Sequence, residues 1–372
     1  MEKIKITYIV SDIDRFIGFE WVATNLNKDI FDISFILLNA NDSFLEKFLL
    51  EKNIPVCRII YQGKKDIIKA FFGVRKALKQ FQTNIVHCHF FDACFIGLLA
   101  AKSLFIKKRI YTRHYSTLHY DYFGGNGVKY DKLFNYLATN IVAISEIVAE
   151  VLIKRESVKE TKISLIYHGI DVKDYTNISF EDIENIKNKY NNTRNFPVIG
   201  VIARYSELKG LQYIIPAFKK LLNDYPNAKL ILANAHGDYA TEIKYLLKDI
   251  PTENYQEIKF ERQGNLLYSL FDIYLHTPVD KYIEAFGLTY IEALISKVPS
   301  IFTLSGIASN FIQHEKNALV VPYKDIQAIY EAIIKILEDK NLTETLKNNG
   351  YEDVKKGFSL DIYIKKLEEL YQ

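Results

Sequence analysis

A chain of 372 residues is longer than one hydrophobic core usually organises, so two domains are expected. With 49% hydrophobic and 25% charged residues and a net charge of +3, the composition excludes the disordered and fibrous classes. Cys57, Cys88 and Cys94 form no C-x-x-C pair, the opening MEKIKITYIV lacks the apolar block of a signal peptide, and the most apolar stretch, 94–106, is too short for a bilayer core. Together these features point to a reducing cytoplasm.

Short runs rich in β-branched and aromatic residues predict strands at 4–10, 31–38, 85–89, 109–113, 141–145 and 163–167. A polar stretch, 177–197, follows, and the rhythm resumes at 198–203, 229–233, 258–262, 273–277, 300–303 and 318–321. Helical patterns separate the runs, so each set predicts a parallel sheet covered on both faces. The expected class is α/β, with a first domain over 1–175, a linker region over 176–197 and a second domain over 198–357. In 358–372, Leu360, Ile362, Ile364, Leu367 and Leu370 recur at helical spacing and predict an amphipathic helix. Open α/β sheets bind ligands at the carboxyl ends of their strands, so the chemistry is expected in a cleft between the two domains.

Several features of the first half carry two readings. "SDID" (11–14) has a D-x-D spacing used by metal-dependent sugar transferases of another fold, but behind a strand it reads as loop capping. "KKDIIKAFFGVRKALKQF" (64–81) is a basic amphipathic helix, either a sheet cover with a solvated face or a contact for anionic lipid headgroups. Residues 64–113 hold eleven basic side chains against only Asp66 and Asp92, which suggests an anionic partner. Nucleic acid is not expected, because no recognition helix or aromatic-basic RNA motif accompanies that charge. His87 and His89 lie on one face of a strand, and two ligands from one strand do not complete a metal site. "YFGGNGVKY" (122–130) reads as a surface loop or as a flap over an acceptor.

In the second half, "GVIARYSELKG" (200–210) places Arg204 and Lys209 in the turn behind a strand. They are either solvated surface charges or a pair that neutralises a departing diphosphate without a metal. In "EAFGLTYIEALISKVPS" (284–300) a helix is expected to begin near 286, leaving the amides of Phe286, Gly287 and Leu288 as an anion cradle. Gly287 allows close approach of a phosphate. Glu284 precedes the helix and Glu292 lies two turns inside it; eight residues amount to a net rotation of about 80°. Both carboxylates can therefore border one ligand, a ribose on one side and a hexose on the other. The alternative is a capping glutamate and a solvated one.

"EAFGLTYIEAL", "ARYSELKG" and "YHGIDVKDY" (167–175) together resemble the family 4 glycosyltransferases, whose signatures are E-x-F-G-x-x-x-x-E, R-x(4)-K-G and N-G-[IV]-D. "IGFEW" (17–21), with Gly18, Phe19 and Glu20, is similar to the family's acceptor-side G-G-x-E loop, and 84–102, 142–152 and 317–325 match further blocks. The resemblance implies a GT-B fold of two facing Rossmann-like domains, with the final helix crossing back onto the first. It implies a retaining, metal-independent transfer from a UDP- or GDP-sugar to a saccharide or lipid-linked acceptor in surface polysaccharide or glycolipid synthesis, at the inner face of the membrane. In the roles it implies, Arg204 and Lys209 hold the donor diphosphate, Glu292 the ribose, Glu284 the sugar hydroxyls, and His114 is the cleft histidine. The sequence departs from the pattern at Ile17, His168, Lys297, Asn310 and Asn317-Ala318. A sugar epimerase or phosphorylase of the same plan, or a non-catalytic binding subunit, is the rival reading.

Overall fold

A computed structural model describes residues 2–121, 125–190 and 195–372. Residues 122–124 of the glycine-rich stretch and 191–194 of the expected linker lie outside the described residues. The chain forms two compact units, Met1–Gly169 with Leu360–Gln372, and Ile170–Ser359.

The first unit is built on β1 (Ile4–Ser11), β2 (Phe31–Asn39), β3 (Val56–Ile60), β4 (Ile85–His89), β5 (Lys108–Arg113), β6 (Asn140–Ala143) and β7 (Ile163–Leu165). All pair in parallel, in the order β3-β2-β1-β4-β5-β6-β7. The central strands are sealed on both faces, which is why they read as near-continuous apolar runs: Tyr8, Ile9, Val10, Val86 and Ile110 have no exposed surface. The helix Leu360–Tyr371 belongs to this unit. Its Tyr371 hydroxyl lies 2.5 Å from that of Tyr8 and 2.7 Å from His87 Nδ1, and Glu368 accepts from the Asn27 amide at 2.7 Å.

The second unit is built on β8 (Val198–Ile202), β9 (Lys229–Ala233), β10 (Tyr255–Ile258), β11 (Ile273–His276), β12 (Ser300–Phe302) and β13 (Leu319–Val320). These strands are also parallel, in the order β10-β9-β8-β11-β12-β13. Its core packs Ile199, Val201, Leu230, Leu232 and Leu275 against helix residues such as Ile214, Phe218 and Ile333.

β3 is not among the expected strands, and two expectations shift in detail. β3 carries no clear period, because as an edge strand it is only half-buried. β10 ends at Ile258 instead of beginning there, since its pairing with β9 runs out at Ala233. The stretch expected as linker contains the helix Phe180–Lys189, capped by Ser179, whose hydroxyl accepts from the Asp182 amide at 3.0 Å. Among the described residues, no helix is long and apolar enough to cross a membrane.

In each sheet the winding direction reverses once, between β1 and β4 and between β8 and β11. A doubly wound sheet opens a crevice at such a reversal, beyond the carboxyl ends of the two strands.

Candidate active site

At the reversal of the second sheet, β8 runs into a turn bearing Arg204 and Lys209, and Gly210 then caps the helix Leu211–Leu221 with φ +78°. A Cβ at Gly210 would stand 2.0 Å from the Thr277 carbonyl oxygen, so only glycine lets this turn press against the end of β11. The Val279 amide completes the junction by donating to the Leu208 carbonyl at 3.0 Å. Gly210→Ala is expected to lower the unfolding free energy by about 2 kcal/mol or more, read from urea denaturation, because both φ and the backbone contact oppose it.

This junction brings Lys209 to Glu284. Lys209 Nζ donates to Glu284 Oε1 at 2.5 Å, and His276 Nε2 stands 2.9 Å from the same oxygen. The Glu284 amide donates to Ser305 Oγ at 3.0 Å, which fixes the backbone behind the carboxylate. Burial alone would raise the Glu284 carboxyl, but the Lys209 ammonium and the His276 hydrogen bond outweigh it and hold the group below the usual carboxylate range. An ionised carboxylate only accepts, so His276 Nε2 carries a proton. Burial lowers the His276 imidazole against the pull of Glu284, so it stays neutral. Oε1 is thereby engaged twice, while Oε2 accepts from none of the described residues.

That geometry makes His276 a positioning residue for Glu284. In His276→Gln the side-chain amide can reach the same oxygen, and turnover is expected to stay within a few-fold of wild type. His276→Leu is expected to lose roughly tenfold or more in kcat, the size of one charge-assisted hydrogen bond. Equal rates in the two variants would contradict the assignment.

Glu284 leads directly into the helix Leu288–Ile295, which is capped by Gly287 at φ +89°. The helix thus starts two residues later than the apolar spacing suggested, and the amides of Leu288 and Thr289 have no acceptor within it. Phe286 is buried against Phe358, and its carbonyl accepts from the Ile307 amide at 2.9 Å. Glu292 is not solvated: it accepts from Tyr175 at 3.1 Å and from Tyr268 at 2.8 Å. Burial raises its carboxyl while the two hydroxyls oppose the rise. Rings connect the two glutamates, Tyr268 lying 5.4 Å from Tyr274 and Tyr274 stacking 6.5 Å from His276. Arg204, on the same turn as Lys209, is exposed and makes no ion pair among the described residues.

In the first unit, Gly18, Phe19 and Glu20 lie in the helix Ile17–Asn25. Both Glu20 oxygens are held by Arg15, at 2.7 and 3.2 Å. Phe19 packs edge-on against His89, with ring centroids 4.8 Å apart. His114 follows β5, stacked between Phe90 at 4.8 Å and His168 at 5.7 Å, with Nε2 3.1 Å from His89 Nδ1. Burial, with His168 and His87 adding to it, keeps His114 well below its ordinary pKa, so it is neutral. Burial likewise lowers His87 to about 3 and His168 to about 4. Arg113 is not part of the basic surface: it is buried between Asp131 at 3.1 Å and Glu156 at 2.7 Å. Asp14 of "SDID" caps a loop, its carboxylate accepting from the Phe44 amide at 3.0 Å.

The structure therefore brings Lys209 to Glu284 and ties Glu292 to tyrosines. His276, Ser305, Tyr175 and Tyr268 were not singled out as site residues in the sequence, and His89 was read there only as an incomplete metal ligand. His276 alone left a signal, as the polar residue that ends an apolar strand at the winding reversal.

Comparison with known proteins agrees across the chain. The profile of "Glycosyl transferases group 1" matches residues 182–353, and that of "Glycosyltransferase Family 4" matches 22–174. The capsular polysaccharide biosynthesis glycosyltransferase CapM of Staphylococcus aureus is 29% identical over 247 residues, 65% of this chain and 63% of that protein. The alpha-monoglucosyldiacylglycerol synthase of Acholeplasma laidlawii is 24% identical over 317 residues, 80% of this chain and 77% of that protein. Among solved structures, Anabaena HepE in complex with UDP-glucose superposes with a TM-score of 0.80 at 19% identity, covering 99% of each chain. A glycosyltransferase from Rickettsia africae superposes with a TM-score of 0.82 at 22% identity, covering 100% of this chain and 98% of that one. The fold is that of the GT-B glycosyltransferases.

Proposed function

This chain belongs to the family 4 glycosyltransferases, and from that premise we propose that it transfers a sugar, with retention and without a metal ion, from a UDP- or GDP-sugar to a saccharide or lipid-linked acceptor. The donor is held by the second unit and the acceptor by the first, and the product belongs to a cell-surface polysaccharide or glycolipid.

The observation that carries this reading is the Lys209–Glu284–His276 cluster at the carboxyl ends of β8 and β11. Lys209, Arg204 and the amides of Gly287 and Leu288 supply positive charge where a diphosphate departs, and such fixed charge is worth most in a water-poor site. Oε2 of Glu284 accepts from the hydroxyls of the donor sugar, and Glu292 faces the ribose. As the bond from the anomeric carbon to the diphosphate breaks, its electron pair leaves with the phosphate oxygen. The acceptor oxygen bonds the same carbon on the same face, and its proton passes to the departing phosphate. Neutral His114 contributes a hydrogen bond.

The helix Ile67–Gln80 covers the sheet with Ala70, Val74, Ala77 and Leu78. Its outer side exposes Ile68 and Phe72, 73% and 60% accessible, beside the exposed Lys65, Lys69, Lys76 and Lys79. This surface suits peripheral contact with an anionic membrane at the cytoplasmic face. Sedimentation with phosphatidylglycerol vesicles is expected to carry down wild type, and several-fold less of Lys69→Glu/Lys76→Glu. Equal sedimentation would remove the membrane from the account.

Transfer itself is tested by supplying UDP-glucose, UDP-N-acetylglucosamine and GDP-mannose in turn with candidate acceptors. Acceptor-dependent release of UDP or GDP, with a product of the donor's anomeric configuration, is the expected result. An epimerised free sugar nucleotide, an inverted product, or tight donor binding with no turnover on any acceptor would count against it.

A further inference from the structure

A cavity of about 170 Å³ lies beyond the end of β5, between the helices Phe91–Ser103 and Asn126–Leu137. Phe90, Phe91, Leu118 and Phe134 give it an apolar wall. The remaining lining residues have heteroatoms, yet most of these are engaged with other protein groups. The Tyr111 hydroxyl donates to Asn135, and that of Tyr115 to Asp131. His119 Nδ1 meets Asp131 at 2.9 Å, and Thr112 Oγ1 meets His87 Nε2 at 2.8 Å. Burial raises the Cys94 thiol, which stays protonated and behaves as a small apolar group.

His114 is different. Its Nε2 is taken by His89, but its Nδ1 has no partner among the described residues. The cavity therefore combines a largely apolar lining with the imidazole of His114 at its wall. Its volume is close to the roughly 150 Å³ that takes up a benzene ring in an engineered apolar cavity. A sugar ring is poorly matched, since its hydroxyls would face carbon and lose their hydrogen bonds to water.

We infer that this cavity binds a compact apolar group of the acceptor, an alkyl or aryl stretch of about six to eight carbons, beside an oxygen that meets His114. The acceptor thus carries an apolar group as well as its saccharide, and a free sugar lacks what this site recognises. The assignment to the acceptor rests on the transferase reading given above; the apolar specificity of the cavity does not.

Benzyl alcohol is the direct probe, because it carries one ring and one hydroxyl. Ligand-observed NMR and thermal shift are expected to show saturable binding to the full chain, with nuclear Overhauser contacts to the Leu118 methyl groups and the Phe134 ring. Leu118→Trp, which fills the space, is expected to weaken binding at least tenfold, while Leu118→Ala retains it. Saturable binding without those contacts, or the same affinity in Leu118→Trp, would overturn the site, and the contacts decide the matter even if the tryptophan variant does not fold. With turnover established, an n-octyl glycoside acceptor is expected to show a KM at least tenfold below that of its methyl glycoside. Benzyl alcohol should raise the octyl acceptor's KM and leave the donor's unchanged. Equal KM values for the two glycosides would overturn the acceptor assignment. Absence of nucleotide release with every acceptor would instead indict the transferase reading, and the binding experiment would still decide the cavity.

Discussion

Lys209→Ala is expected to lower kcat/KM for the nucleotide sugar by at least a thousandfold, about 4 kcal/mol of transition-state stabilisation. The ammonium acts twice. In the proposed mechanism it supplies positive charge to the leaving diphosphate, and in the structure it holds Glu284 ionised inside a buried pocket. Its removal therefore also changes stability in a pH-dependent way. A carboxylate held below its ordinary pKa contributes stability that is complete above about pH 4.5 and is lost only as pH falls through the folded value. Without Lys209 the burial of Glu284 is opposed by His276 alone, and the carboxyl rises. The variant is expected to unfold about 2 kcal/mol more easily at pH 7, a figure reduced from that of a sealed pair because Lys209 is 21% exposed. The deficit should shrink as the pH is lowered towards 5, where protonation relieves the buried charge. Urea denaturation at the two pH values checks this sign, and a deficit that grows on acidification would contradict it.

Glu284→Gln is the second large effect. The amide oxygen can still accept from Lys209 and from His276, so the fold is expected to change by no more than about 1 kcal/mol. The second position, Oε2, becomes an amide nitrogen that donates where the proposed mechanism requires an acceptor for sugar hydroxyls. A fall in kcat of about a hundredfold to a thousandfold is expected, with the affinity for UDP or GDP alone kept within a few-fold. Wild-type turnover in this variant would remove Glu284 from the chemistry. A melting temperature lowered by many degrees would instead show that the residue's main contribution is to stability.

The fold was legible where strands are buried on both faces. β1, β4, β8 and β11 are short apolar runs because helices cover both sides, and their positions follow from composition and spacing. β3 was illegible because Cys57, Arg58 and Ile60 lie at a half-exposed edge, where no period is enforced. The Lys209–Glu284 pair spans 75 residues, and what placed both at one site was the order of turns behind β8 and β11 together with the family resemblance. His276 was missed because the polar end it gives an apolar strand carries no functional meaning by itself. Its meaning comes from a carboxylate eight residues later that folds back onto it. Tyr175 and Tyr268 were missed for the same reason, since only tertiary packing brings them to Glu292.

Calorimetric titration of UDP and GDP, with uridine and guanosine as controls, into wild type, Arg204→Ala and Lys209→Ala tests the central claim most directly, that the turn behind β8 receives the donor diphosphate. The expected result is that one diphosphate binds wild type and binds each variant at least thirtyfold more weakly, while the corresponding nucleoside binds all three alike. Undiminished diphosphate affinity in both variants would contradict the account.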